Sequence, residues 1–162
     1  MTGVVNFGSL LRVPCLRDHQ EPPLKPLALL DQQEHTVATV TMTKDNFNSI
    51  ISENPIVIID FWAGWCGPCK RFAPVFEEAS EKHADIVFAK VNTEEEQEIA
   101  GHFQIRSIPT LIVFRDQIGL YQNPGALPPQ ALEELIGQVV AVDMDDVRKK
   151  LAEQQADATP EA

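Results

Sequence analysis

Two cysteines, Cys66 and Cys69, enclose a Gly67-Pro68 spacer. A pair this close can cycle between dithiol and disulfide, or supply half of a metal site. The context favours redox chemistry. An apolar run, Ile56–Trp62, reads as a strand just ahead of the pair, and a helix is expected from about Cys66 to Lys82. Unpaired backbone N–H groups and the positive end of the helix dipole then favour a thiolate at Cys66. Cys66 is expected at the exposed end as the nucleophile, with Cys69 one turn on and less exposed. Cys69 would displace whatever becomes attached to Cys66. A zinc site would need two more ligands. Cys15 and His19 could be imagined as those, but they lie in a Pro-rich segment about 50 residues away without a rigid frame. Two purely structural cysteines would not call for a Gly-Pro spacer at a strand–helix junction.

Asp60 is the second anomaly, a carboxylate inside the most hydrophobic strand of the chain. A buried carboxylate must be protonated or partnered. With a raised pKa near Cys69 it would take that thiol's proton; facing an edge or water, it would do nothing. Lys90, in the strand expected over Ile86–Val91, is either its partner or a surface lysine.

Several elements must position these groups. Thr36–Thr41 alternates as a short strand, and Thr43 caps a helix to about Ser52. Val75, Phe76 and Ala79 supply the buried stripe of the helix from Cys66, which Pro74 is expected to kink. Thr93 and Glu96 have capping-box spacing for a short helix to about His102. Thr110–Phe114 and Ile118–Gln122 read as a hairpin, and Pro128 opens a helix to about Val142. The order β-α-β-α-β-α-β-β-α implies a three-layer α/β domain with a mixed sheet. Residues 143–155 read as an added helix, with Asp145 and Asp146 at its start and Arg148, Lys149 and Lys150 further on. Residues 1–35 read as a flexible extension, 36–142 as the domain, and 143–162 as the extra helix and a disordered tail.

The 162-residue chain carries a formal net charge of -11. Such acidity repels phosphate backbones and anionic lipid, so neither nucleic acid nor membrane is an expected partner. Three cysteines are too few, and odd in number, for a secreted disulfide framework. No clear export signal is present at the N-terminus, which counts against an oxidase or isomerase of an oxidising compartment.

The run Asp60-Phe61-Trp62-Ala63-Gly64-Trp65-Cys66-Gly67-Pro68-Cys69-Lys70 closely resembles the active-site segment of thioredoxins. Ala89-Lys90-Val91-Asn92, Ile105-Arg106-Ser107-Ile108-Pro109-Thr110-Leu111 and Gly125-Ala126-Leu127 agree in order and spacing, so the likeness covers about residues 36–141. The resemblance implies a thioredoxin fold, a five-stranded mixed sheet flanked by four helices, here with an extra C-terminal helix. It implies a protein-disulfide reductase serving electron transport and cell redox homeostasis, cytoplasmic and monomeric. Cys66 would attack, Cys69 resolve, Asp60 accept a proton, Lys90 modulate it, and Pro109 stand cis beside the pair. Trp65, Gly67, Pro68, Ile108, Gly125 and Ala126 would form the docking surface. No cofactor or metal would be bound; electrons would come from NADPH through a thioredoxin reductase. The competing reading is an interaction or holdase module with an incidental dithiol, motivated by the helix at 143–155. Departures from the family pattern are Arg115-Asp116-Gln117-Ile118 in the last hairpin, where a Gly-containing turn is common, Pro124 before Gly125, and Asn92 where an acid is common.

Overall fold

A computed structural model describes residues 39–157. The elements are β1 (Thr39–Thr41), α1 (Phe47–Glu53), β2 (Ile56–Trp62), α2 (Gly67–Lys82), β3 (Val87–Asn92), α3 (Gln97–His102), β4 (Thr110–Arg115), β5 (Ile118–Pro124), α4 (Pro129–Ala141) and α5 (Met144–Asp157). The expectations for residues 1–35, for strand positions 36–38, for Cys15 and His19, and for the tail beyond Asp157 lie outside the described residues.

The five strands form one sheet in the order β1-β3-β2-β4-β5. β1 and β2 run parallel to β3, while β4 is antiparallel to both β2 and β5. β2 is therefore central and covered on both faces, which is why it reads as an apolar run broken only by Asp60. Its side chains alternate between two cores. Ile56 and Ile58 pack with Phe72, Phe76, Phe88, Leu132 and Ile136 beneath α2 and α4. Val57, Ile59 and Phe61 pack with Ile51, Val91 and Ile99 beneath α1 and α3. The same period of two places Asp60 on the α2 side of β2, and Lys90, two residues after Phe88, on the α2 side of β3.

α2 buries Cys69, Phe72, Phe76 and Ala79, a three–four spacing that points one helical stripe at the sheet. Val75, expected in that stripe, packs at its margin. The helix continues through Pro74 to Lys82, giving up the one backbone hydrogen bond that proline cannot donate.

Two local expectations fail for identifiable reasons, and a turn type that the sequence leaves open is settled. α1 begins at Phe47, because Thr43 opens a turn: Asn46 and Phe47 donate backbone N–H groups to its carbonyl, and Asn46 Oδ1 accepts from the Thr43 N–H at 2.8 Å. The capping box does not form. Thr93 Oγ1 donates to the Trp62 carbonyl at 3.2 Å and Glu96 Oε2 accepts from the Lys44 N–H at 3.0 Å, so both side chains are committed elsewhere. The last hairpin turns without glycine: Asp116 and Gln117 have φ of 49° and 68°, the left-handed pair that a type I′ turn requires. Asp116 is held there by its N–H to the Pro55 carbonyl and by Arg148 Nη2, 2.8 Å from its carboxylate.

That Arg148 contact ties α5 to the hairpin. The α4 end beside it is closed by Arg115, whose Nη1 donates to the carbonyls of Val139, Val140 and Val142 at 2.6, 3.0 and 2.8 Å. These are the carbonyls a helix C-terminus leaves unpaired, and a cation there also suits the dipole. No helix among the described residues is long and apolar enough to cross a membrane.

Candidate active site

β2 ends at Trp62, and a short turn through Ala63 and Gly64 delivers the chain to α2. Cys66 is the N-cap residue of α2, in extended conformation. Its Sγ accepts a hydrogen bond from the Cys69 N–H at 3.2 Å, one of the donors a helix N-terminus leaves without a partner. Pro68, at the start of the helix, has no such donor to leave unsatisfied. One turn brings the two sulfurs together, and Cys66 and Cys69 are joined in a disulfide with Cα atoms 5.3 Å apart.

Both cysteines are buried, Cys66 at 2% and Cys69 at 3% exposure, in a small cluster with Ala63 against which Trp62 and Ile108 pack. This corrects the expectation that Cys66 is the more exposed of the two. The disulfide turns each sulfur toward the other, and the Ile108 carbonyl lies 3.7 Å from Cys66 Sγ. What distinguishes them is where the remaining surface opens. Cys66, but not Cys69, lines a cleft of about 440 Å³ together with Trp65, Gly67, Pro68 and Ile108. Access to the pair is therefore through that cleft. Trp65 stands 71% exposed at its edge, an apolar side chain that a partner would cover.

The Ile108–Pro109 peptide is cis, with Pro109 buried. The Pro109 carbonyl accepts from the Gly125 N–H at 2.8 Å, which fixes the β5–α4 connection beside it; Gly125 has φ 113°, a conformation glycine adopts without cost. Four of the expected docking residues, Trp65, Gly67, Pro68 and Ile108, share the cleft with Cys66. Ala126 instead lines an adjoining hollow on the other side of Pro68. Gly125 lines neither; it donates to the Pro109 carbonyl and immediately precedes Ala126. Thr93, Ile105, Arg106 and Ser107 also line the cleft and were not anticipated, although the last three lie in the segment quoted for the resemblance.

Asp60 is 1% exposed, and its Oδ1 has no hydrogen-bond partner. Burial pushes its carboxyl up from the ordinary 3.8 to about 7, against the lowering effect of the Lys90 charge. Asp60 and Lys90 are register partners on β2 and β3. The Lys90 ammonium lies 3.2 Å from Glu77 Oε1 on α2 and 5.6 Å from the centre of the Trp62 ring. Glu77 left no trace in the sequence, since its partner is 13 residues away on another element. Among the described residues, no group of three or more His, Cys, Asp or Glu side chains is placed to hold a metal ion.

A family model described as thioredoxin matches residues 38–138. A putative thioredoxin 2 of Streptomyces coelicolor is 54% identical over 121 residues, covering 75% of this chain and 90% of its own. The thioredoxin of Bacillus subtilis is 41% identical over 103 residues, 63% of this chain and 98% of its own. Among solved structures, a thioredoxin of Plasmodium falciparum aligns with a TM-score of 0.58 at 40% identity, covering 62% of this chain and 98% of that one.

Proposed function

Because the chain belongs to the thioredoxin family, we propose that Cys66 and Cys69 carry out that family's reaction in the order their positions suggest. The protein is a thiol–disulfide oxidoreductase, a protein-disulfide reductase of thioredoxin type. In the dithiol form, the Cys66 thiolate attacks one sulfur of a substrate disulfide, and the other leaves as a thiolate. The resulting mixed disulfide joins Cys66 to the substrate. Cys69 loses its proton and attacks Cys66 Sγ, releasing the second substrate sulfur. The substrate gains two electrons and two protons, and the protein is left with the Cys66–Cys69 disulfide. The observation that carries this reading is Cys66 Sγ at the N-cap of α2, accepting the Cys69 N–H and opening onto the cleft.

Asp60 takes the Cys69 proton in this reading. It is the buried acid on the α2 side of β2, and a pKa of about 7 lets it exchange a proton near neutral pH. Lys90 modulates it through its charge. Trp65, Gly67, Pro68 and Ile108 receive the substrate segment, with Pro109, Gly125 and Ala126 framing its far side. Residues 36–142 carry the activity, and the segments at 1–35 and 143–162 are appendages; the family match over 38–138 supports that division. The protein works as a monomer without a bound cofactor, in the cytoplasm, and a thioredoxin reductase returns it to the dithiol at the expense of NADPH, serving electron transport and cell redox homeostasis. The interaction-module alternative is not favoured, since it leaves the cysteine pair, the buried acid and the cleft unexplained.

Coupled turnover tests the reading. A disulfide-containing model protein is offered to the wild type and to Cys66→Ser with NADPH and a bacterial thioredoxin reductase. The wild type is expected to oxidise NADPH in step with appearance of substrate thiols, and the variant to show only background. Equal rates would reject it.

A further inference from the structure

The charges around the cleft differ from those of the rest of the molecule. Of the ten Lys and Arg residues at positions 39–153, Lys44, Lys82, Lys90 and Arg148 are paired with carboxylates, and Arg115 is held by the α4 carbonyls. Lys149 and Lys150 lie on α5. The remaining three, Lys70, Arg71 and Arg106, make no ion pair among the described residues. All three are exposed beside the redox pair. Arg106 lines the Cys66 cleft. Arg71 lines the hollow of about 320 Å³ beyond Pro68, and its Nη1 would lie 3.7 Å from a Cβ at Gly67. No acidic residue is among those that line the cleft; Glu94, next to the lining residue Thr93, lines a separate hollow with Lys44 and Glu96.

We propose that this cleft selects disulfide substrates whose target cysteine is flanked by a carboxylate, with Arg106 the residue that reads it and Arg71 supporting it across Pro68. The inference deepens the oxidoreductase reading and rests on it. A chain of net charge -11 repels acidic segments at long range. At physiological salt, however, charges farther than about 8 Å are largely screened, so the guanidinium groups at the site dominate for a docked segment. Arginine offers a carboxylate a planar two-pronged donor, so orientation is selected together with charge.

Three disulfide-bridged peptides that differ only in Glu, Gln or Lys beside the target cysteine provide the test, with kcat/KM measured for the wild type, R106Q, R106K and R106E. A solvent-exposed ion pair of this kind corresponds to about a fivefold preference. The wild type is expected to favour Glu over Gln by about that factor and to disfavour Lys. The Glu-to-Gln ratio should fall toward unity in R106Q and be only partly kept in R106K, which retains the charge without the two-pronged geometry, and R106E should favour the Lys peptide over the Glu peptide. Equal rates on all three peptides in the wild type, or an unchanged ratio in R106Q, would overturn the proposal. Failure of the wild type to reduce any of them, or the neutral bis(2-hydroxyethyl) disulfide, would instead remove the oxidoreductase reading and this selectivity with it.

Discussion

Asp60 and Lys90 stand in register on adjacent parallel strands, yet the Lys90 ammonium is ion-paired with Glu77, and Asp60 Oδ1 has no hydrogen-bond partner. The lysine is near enough to act on the acid through its field but is anchored elsewhere. Burial therefore outweighs the opposite charge, and the carboxyl is held near the pH at which it can both accept and release a proton.

A stability consequence follows from that carboxyl. Its proton is bound more tightly in the folded chain, at about 7, than at the ordinary 3.8. Its favourable contribution is thus complete below about pH 4 and is lost as pH rises through about 7. Roughly three pKa units correspond to about 4 kcal/mol at most. Asp60→Asn is expected to be more stable than the wild type by about 2–4 kcal/mol at pH 8.5 and to show no gain at pH 4. Urea denaturation of both proteins across that range checks it; a gain independent of pH would contradict the assignment.

Glu77 governs where the Lys90 charge sits. Glu77→Gln should release the ammonium toward Asp60 and lower the pKa of that carboxyl by about 0.5–1 unit. Lys90→Met should raise it. The carboxyl can be followed directly by carbon NMR, and the resolving step by its pH profile. A merely structural role for Glu77 would alter stability and leave both unmoved.

Removing the resolving sulfur should arrest the reaction halfway. Cys69→Ser is expected to accumulate a covalent complex with a disulfide substrate through Cys66, visible by mass and released by reductant. A complex that accumulates in Cys66→Ser and not in Cys69→Ser would reverse the two roles.

Arg115 offers a test away from the chemistry. Arg115→Ala leaves the last α4 carbonyls to water and removes a cation from the helix end, and should cost about 1–2 kcal/mol. The measure is thermal unfolding, with the disulfide-reduction rate at 25 °C expected to stay within twofold.

Local chemistry was legible wherever the cause lay within a few residues. β2 is legible to its ends because Pro55 bounds an apolar run broken only by Asp60, and the Cys66 N-cap because a strand leads into a helix there. The start of α1 is not legible in the sequence, because Thr43 and Asn46 exchange hydrogen bonds in a turn that has the residue pattern of a cap. The glycine-free hairpin was legible only as a departure, since Arg148, which holds Asp116, comes 32 residues later.

By itself, then, the sequence determined the redox pair, its place at a helix start, the presence of an acid in the most apolar strand and the order of elements. These depend on periodicity and on neighbours along the chain. Only the tertiary structure decided that both sulfurs are buried alike, that Asp60 is buried with Oδ1 unpartnered while Lys90 pairs with Glu77, and that Arg106 borders the cleft from which Cys66 is reached. Such contacts join residues on different elements, so their energy depends on packing distances that leave no repeating mark in the order of amino acids.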